Sequence, residues 1–280
     1  MEDKKNVFIV YAHQEPKSFN GAFKDKAVQV LKDQGHTVTV SDLYAMRFDP
    51  TASKHTFKER KNNEEFNFQQ ELSHAAEKGT LADDIKAEID KILAADLIII
   101  QFPLYWLGMP AILKGWFDRC LAEKVAFDTM RSKWFDNGPF ASKKIVLSFT
   151  TGGTEDFFSN TGIFGDMDVI LWPLQNMLRF TGFQVLAPQI SYGPGDVSEN
   201  QRTCMLQTWN DRLQTIWDEE PLSFINVKNF DPEKGFTLTE RYISSLKDGE
   251  SGPTPGQNLG RSFLQGSMTT IPNISKSHSK

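Results

Sequence analysis

The sequence contains little cysteine, and most of its length lacks histidine. Only Cys120 and Cys204 are cysteines among 280 residues, too few for a disulfide framework. Both lie in helical patterns, and we expect them to be reduced thiols in the core of a cytosolic protein. The five histidines leave 75–277 without one. This distribution argues against a His/Cys zinc cluster, and against a histidine relay drawn from the second half of the chain.

Further absences restrict the class of protein. No apolar run reaches the roughly 18 residues of a membrane span. The N-terminal sequence, MEDKKNVFIVYAH, has no apolar signal-peptide core. A net charge of −5 supplies no dominant basic surface for nucleic acid. We therefore expect neither a membrane nor a nucleic-acid partner.

Aromatic residues, in contrast, are abundant. They make up 12% of the chain, with 22 phenylalanines, and 39% of the residues are hydrophobic. That content is enough to bury one sizeable core. A core rich in phenylalanine explains the aromatics, and so does a site for a flat, conjugated ligand. Composition leaves both explanations open.

Strand and helix patterns alternate along the chain. Apolar or alternating runs predict strands at 6–13, 36–43, 96–104, 143–153 and 183–193. Helical spacing predicts helices at 19–34, 81–94, from about 110, 167–180 and 199–218. Gly35 is expected to end the first helix, and Thr80 with Asp83 to form a capping box for the second. The alternation predicts an α/β fold with a doubly wound, five-stranded parallel sheet.

A change of composition divides the chain. Residues 1–220 carry the alternating pattern and are expected to form the main domain. Prolines and glycines become frequent from 221 onward, and 247–262 shows no periodicity. We therefore predict that 221–280 forms a C-terminal appendage with a mobile end.

In an open α/β sheet, ligands bind beyond the carboxyl ends of the strands. The segments that follow predicted strands there are 13–22, 103–108, 150–166 and 191–202. In the first, Ser18 begins a helix whose amides favour a phosphate, although an ordinary N-cap has the same sequence. In the second, Tyr105 and Trp106 suit a planar ring, or packing on a neighbouring helix. The third begins with TTGG, whose backbone can approach a ligand closely. Together these features predict a flavin site.

Segments throughout the chain resemble one known family, the flavodoxin-like NAD(P)H:quinone oxidoreductases of animals. The matching segments, in the family's order, are YAHQEPKSFNG, VSDLYAM, QFPLYW, PAILKGWFDR, TTGG, GDM, ILWPLQ, GFQVLAPQIS and RLQTIWDEEPL. The resemblance implies a flavodoxin-like fold and a homodimer with FAD at its interface. It also implies ping-pong transfer of two electrons, from NAD(P)H or a related dihydronicotinamide through the flavin to a quinone.

The resemblance also implies site residues. Expected cofactor-binding residues are His13, Ser18, Phe19, Asn20, Gly21, Ala22, Asn67, Leu104, Tyr105, Trp106, Leu107, Thr150, Thr151, Gly152, Gly153 and Arg202. Expected substrate-binding residues are Phe127, Asp128, Thr129 and Phe180, with Gly152, Gly153 and Trp106 nearby. Phe230 and Phe236 are expected to close the cavity from the appendage.

Two departures from the family pattern concern proton and metal chemistry. The positions implied for a proton-relay tyrosine and histidine hold Phe158 and Phe164. The histidine positions of a zinc site found in one branch correspond to Asn176 and Arg179, so no metal site is expected. Loss of a general acid–base group typically lowers a rate by roughly 10²–10⁴. The catalytic residues are therefore left unassigned.

Alternative functions stay open at this point. The main hypothesis is an FAD-dependent quinone reductase. A second is a flavin-bound protein with little turnover that acts through binding or stabilising a partner. A one-electron flavodoxin carrier is disfavoured by the appendage and by the long 44–94 insertion. An α/β domain without a cofactor is disfavoured by the breadth of the resemblance.

Overall fold

Parallel strands form the centre of the first part of the chain. The structure is a computed structural model and describes residues 4–159 and 161–245. The strands of this part are β1 (Asn6–Tyr11), β2 (Thr37–Asp42), β3 (Leu97–Pro103), β4 (Lys144–Thr150), β5 (Gln184–Val185) and β6 (Gln189–Ser191). They pair in parallel in the order β2-β1-β3-β4-β5, and β6 also pairs with β4. The predicted α/β fold with a parallel sheet is confirmed.

The last predicted strand, over 183–193, is divided in two. Pro188 lies between β5 and β6 and has no N–H to contribute to a ladder. Both pieces still pair with the same neighbour, β5 with the start of β4 and β6 with its end. Ser191 therefore lies directly beside Thr150, where the sheet ends.

Helices connect the strands and cover both faces of the sheet. They are α1 (Phe19–Asp33), α2 (Phe68–Lys78), α3 (Asp83–Ala94), α4 (Ala111–Cys120), α5 (Met167–Phe180) and α6 (Glu199–Thr215). Every helix predicted from the sequence is present, and Gly35 follows α1 with a φ of +89°. Within residues 4–159 and 161–245, no helix is long and apolar enough to cross a membrane.

Helix α2 is absent from the sequence prediction. It lies in a polar stretch between the second and third strands, where periodicity is weak. Its ends do carry recognisable residues. The Asn67 side chain accepts a hydrogen bond from the Gln70 amide (3.1 Å), and Gly79 ends the helix with a φ of +74°.

The predicted capping box of α3 is wrong. The Thr80 amide donates to the Ala75 carbonyl (2.9 Å), so Thr80 still belongs to the end of α2. Helix α3 begins after Ala82, and no side chain caps it. The acidic side chains of Asp83 and Asp84 lie in its first turn, where the positive end of the helix dipole favours them.

Successive residues of β1 face opposite sides of the sheet, as strand geometry requires. Val7 and Ile9 belong to a buried cluster formed with α1 and α6, which includes Trp209. Phe8 faces the other side, where its ring centroid lies 6.2 Å from that of Trp116 in α4. Much of the aromatic content therefore belongs to an ordinary core, the first of the two explanations left open by composition.

The two cysteines lie in different environments. Cys120 is buried, and burial raises the pKa of its thiol well above its ordinary value. Cys204 is exposed on α6, so the expectation that both thiols lie in the core is wrong for it. Its neighbours Met205 and Leu206, not Cys204, pack against the buried cluster.

The chain divides into two compact units after Leu222. In the second unit, β7 (Phe230–Asp231) pairs antiparallel with β8 (Thr237–Leu238), and α7 (Glu240–Ser244) follows. Phe236 has a φ of +59° in the turn before β8. The predicted mobile end falls partly outside the described residues.

Candidate functional site

The four segments expected to bind a ligand begin at one edge of the sheet. Parallel pairing sets Pro103 of β3 beside Thr150 of β4, and Thr150 beside Ser191 of β6. After β1, the Ala12 amide donates to the Gln101 carbonyl (2.9 Å). The loops that follow these strands therefore leave the sheet at the same end, as a parallel sheet requires.

The loop after β1 leads into the N-terminus of α1. Ser18 caps the helix, and its hydroxyl accepts a hydrogen bond from the Gly21 amide (3.1 Å). The Tyr11 hydroxyl lies 3.2 Å from the same oxygen. A side chain at Gly21 would place its Cβ 2.1 Å from the Pro16 carbonyl oxygen, so only glycine fits there. The turn is thus held closely, and α1 begins shortly after the chain leaves the end of β1.

Buried polar side chains near this edge are linked by hydrogen bonds. Gln101 donates from Nε2 to Asn20 Oδ1 (2.8 Å), and Asn20 donates from Nδ2 to Thr150 Oγ1 (2.8 Å). All three side chains are buried. The side chains of Asn20 and Thr150, both expected to bind a cofactor, are therefore engaged with each other. Sequence reasoning missed Gln101, although a polar residue at the end of the run DLIIIQFPL was a visible indication.

The loop after β3 is a tight hairpin with unusual backbone geometry. Tyr105 and Gly108 exchange two backbone hydrogen bonds (2.9 and 3.0 Å) around Trp106 and Leu107. Trp106 and Leu107 have φ values of +50° and +59°, in a type of turn usually built from Asn and Gly. The Trp106 ring is fully exposed, so the alternative of packing against a neighbouring helix is wrong for it. Left-handed backbone at non-glycine residues costs energy and is concentrated at functional sites.

The TTGG turn after β4 is fastened to the segment after β6. The Thr151 amide donates to the Ser191 carbonyl (3.1 Å), and the Gly193 amide donates to the Thr151 hydroxyl (3.4 Å). A Cβ on Gly152 would meet no atom within 4 Å, whereas one on Gly153 would lie 2.9 Å from Phe157 Cδ2. Gly152 therefore presents bare backbone to open space, as a closely approaching ligand requires.

Phenylalanine rings form an apolar wall beside this turn. Phe158 is buried and stacks on Phe164 at 5.2 Å between centroids, with 24° between the ring planes. The Phe157 ring centroid lies 6.1 Å from that of Phe164, and both of these rings are about half exposed. The wall itself therefore has no hydroxyl or imidazole.

Three other expected cofactor-binding side chains hold local structure. His13 Nδ1 accepts a hydrogen bond from the Glu15 amide (3.0 Å), and Asn67 caps α2. The Arg202 guanidinium donates to the carbonyls of Pro194 (3.3 Å) and Val197 (2.7 Å), which fixes the loop after β6. Each side chain shapes a loop. Whether each also contacts a ligand stays a prediction.

Comparison with known proteins agrees with this geometry. A model of the flavodoxin-like fold matches residues 5–213. The chain is 45% identical over 263 residues to NAD(P)H dehydrogenase (quinone) 1 of Rattus norvegicus, an alignment that covers 92% of this chain and 95% of that protein. It is 52% identical over 220 residues to ribosyldihydronicotinamide dehydrogenase (quinone) of Homo sapiens, covering 78% and 94% of the two chains.

A solved structure adds a match in three dimensions. A Klebsiella pneumoniae protein assigned to the quinone reductases superposes with a TM-score of 0.82 at 36% identity, covering 89% of this chain and 98% of the other. The chain belongs to the flavodoxin-like family of quinone oxidoreductases. The resemblance seen in the sequence is thereby confirmed.

In this quinone oxidoreductase fold, the residues expected to bind substrate form a second group. The Phe127 and Phe180 rings lie 5.0 Å apart. Asp128 is buried and accepts a hydrogen bond from Lys124 Nζ (3.0 Å), which lowers the pKa of its carboxyl. Thr129 is exposed and donates to a Glu123 carboxylate oxygen (2.7 Å).

This second group lies far from the TTGG turn of the same chain. Phe180 is the last residue of α5, beside the start of β4, whereas Gly152 follows the end of β4. At 1.5 Å per residue, the length of α5 alone separates the two ends of the sheet by about 20 Å. One copy of the chain does not bring the two predicted groups together.

One branch of the family has a zinc site, and the two positions that correspond to its histidines hold side chains unsuited to zinc. Asn176 is an amide, and the Arg179 guanidinium lies over the Phe135 ring, 4.7 Å from its centroid. Burial lowers the pKa of Arg179. A positively charged group at this position opposes binding of a cation.

The hairpin at Trp106 and Leu107 generates a stability prediction. Replacing Leu107 with glycine should raise the free energy of unfolding by about 0.5–1 kcal/mol, because glycine adopts a positive φ without steric cost. Urea unfolding measures the change. Leu107→Ala is the matched control, since it removes the same side chain but keeps the disfavoured backbone. An equal effect of the two variants would contradict the assignment of strain.

Proposed function

We propose that this protein is an FAD-dependent NAD(P)H:quinone oxidoreductase. The observation that carries the proposal is the bare backbone of Gly152, which faces open space at the carboxyl edge of the sheet. The exposed Trp106 hairpin and the N-terminus of α1 end at this same edge. A ring system, its polar edge and a phosphate thus each have a fitting surface. The named activities of the rat and human relatives support the same chemistry.

These residues would hold the flavin in distinct ways. Backbone amides at the start of α1 would bind a phosphate, and the Tyr105–Leu107 hairpin would lie along the ring. The turn from Thr151 to Gly153 would direct amides at the polar edge of the ring, where negative charge develops on reduction. A bound flavin supplies the capacity to accept and pass on two electrons together.

We assign FAD, the larger flavin, because the family resemblance implies it. The resemblance also implies contacts from Asn67 and Arg202, which lie outside the hairpin and the TTGG turn. The proposed electron donor is NAD(P)H or a related dihydronicotinamide, and the proposed location is the cytosol.

We further propose a homodimer in which each site uses both copies. Phe180 and its neighbours lie about 20 Å from Gly152 of the same chain by the length of α5. If both groups line one quinone cavity, they must come from different copies. Exposed apolar side chains, among them Trp106, Met130 and Ile163, provide surface for such an interface.

Sedimentation equilibrium tests the assembly. We expect a mass of twice that of the chain at micromolar concentration, because each quinone cavity is complete only when residues of both copies line it. Phe180→Ala should lower turnover without releasing flavin. A monomer that turns over normally would overturn the shared site and leave the flavin assignment standing.

A binding protein with little turnover is the second candidate. Phe158 and Phe164 favour it, because the wall beside the turn has no group that transfers a proton. The named activities of the relatives favour the enzyme instead.

The experiment that separates the two candidates is anaerobic reduction of the purified protein. We expect a yellow protein that releases FAD on denaturation. NADH, NADPH or a ribosyl dihydronicotinamide should then bleach its absorbance, and a quinone should restore it. A protein that takes up no added flavin rules out both candidates. A yellow protein that no dihydronicotinamide bleaches is the binding protein.

The neighbouring glycines of the turn provide a matched pair of variants. Gly152→Ala adds a methyl group in open space, so the protein without flavin should keep its stability while flavin binds ten-fold or more weakly. Gly153→Ala forces the methyl against Phe157 and should lower the free energy of unfolding by about 1–2 kcal/mol. Flavin fluorescence quenching and urea unfolding measure the two effects. Unchanged flavin affinity in Gly152→Ala would contradict the assigned ring position.

A further inference from the structure

Quinone reduction requires a proton that the hydride does not supply. A quinone becomes a hydroquinone by gaining two electrons and two hydrogens. The dihydronicotinamide is oxidised and contributes two electrons with one hydrogen, as a hydride passed through the cofactor. The second hydrogen must arrive as a proton. The rings of the wall carry no such proton, so the groups beside them are the candidate donors.

Tyr192 is the phenol that adjoins this wall. Its ring centroid lies 6.0 Å from that of Phe158, with 35° between the planes. The residues on either side of it are fastened to the TTGG turn, Ser191 through the Thr151 amide and Gly193 through the Thr151 hydroxyl. Tyr192 is thus held against the turn by the split of the fifth strand.

The Tyr192 hydroxyl is half-buried and available. It makes no hydrogen bond with another residue in the described part of the chain, unlike the Tyr11 hydroxyl, which lies within hydrogen-bonding distance of Ser18 and donates to Glu15. A partly buried hydroxyl without a protein partner can bind a ligand or water at its free side.

Charges around Tyr192 favour its protonated form. Burial raises the pKa of the phenol, and the carboxylates of Glu155, Asp168 and Asp166 raise it further. The phenol is therefore neutral at pH 7 and carries a proton to give. Asp168 is exposed, and burial of part of the carboxyl and the charge of Asp166 raise its own pKa.

We propose that Tyr192 is the proton donor for quinone reduction in this protein, an inference that rests on the proposed function. The Tyr192 O–H bond breaks as an O–H bond of the hydroquinone forms, and water returns a proton to the phenolate. The transfer exchanges one phenolic O–H bond for another. The surrounding carboxylates destabilise the phenolate and so favour its prompt reprotonation.

The kinetic test is Tyr192→Phe, which removes one oxygen and keeps the ring on Phe158. We expect kcat for quinone reduction to fall roughly 10²-fold, because a positioned general acid is lost, with a smaller change in KM. Small buffer acids such as imidazolium should restore kcat in proportion to their concentration, in the variant and not in the natural protein. The natural protein in the same buffers is the control.

A second variant places a phenol on the neighbouring ring. Adding Phe158→Tyr to Tyr192→Phe should recover at least ten-fold in kcat. If packing were the only role of Tyr192, Tyr192→Phe would keep kcat and show no response to buffer acids. That result overturns the proposal.

A spectroscopic test is independent of turnover. The chain has five tyrosines, and 3-fluorotyrosine labelling gives each its own ¹⁹F resonance, assigned by single Tyr→Phe variants. Chemical reduction of the bound flavin should shift the Tyr192 and Tyr105 resonances. A Tyr105 shift without a Tyr192 shift overturns the proposal while the flavin site stands. Absence of any bound flavin overturns the proposed function, and the Tyr192 proposal with it.

Discussion

The pairing of β6 with the end of β4 is the constraint on which the site depends. It sets Ser191 beside Thr150 and lets the Thr151 amide reach the Ser191 carbonyl. Without that register, the TTGG turn would have no fixed partner, and Tyr192 would have no fixed position. The break at Pro188 makes the register possible, because the second piece of the strand pairs without having to continue the first.

A buried polar chain supports the same edge from below. Gln101, Asn20 and Thr150 join β3, the start of α1 and the end of β4 through two 2.8 Å hydrogen bonds. Asn20 uses both its amide oxygen and its amide nitrogen in these bonds, and a buried amide is costly unless it is paired, so its position is well defined. Together with the Ser18 cap, it explains how loops from separate strands can form one preorganised surface. The strained hairpin at Trp106 is tolerated on such a rigid base.

The aromatic content of the chain has two physical roles. One group of rings fills the core on the two faces of the sheet, as Phe8 and Trp209 do. A smaller group, around Phe158 and Phe164, walls the open turn and makes that side of the site apolar. An apolar wall strengthens electrostatic interactions nearby. The few polar groups at its border, Tyr192 above all, then have more influence than they would in water.

Much of this protein follows from local pattern alone. Apolar runs and helical spacing determined the order of strands and helices, and topology then determined which loops meet at one edge. The TTGG segment and the residues around Ser18 could be identified as candidate ligand-binding residues from sequence, because glycine and capping residues have local physical requirements. Helix α2 was not predicted from the sequence, because a polar helix shows little hydrophobic periodicity. The capping box at Thr80 failed because Thr80 still serves the preceding helix.

What only the tertiary structure decided involves residues distant in sequence. Sequence shows Gln101 and Tyr192 as ordinary strand-end residues. Contacts with Asn20 and Phe158 give them their positions, and no local pattern encodes such contacts. The same is true of Phe180, whose distance from Gly152 depends on the direction in which α5 runs along the sheet. The sequence determined which chemical groups are present and on which elements they lie, because these depend on near neighbours. Their spatial arrangement came from packing, because the shape of the whole sheet sets it.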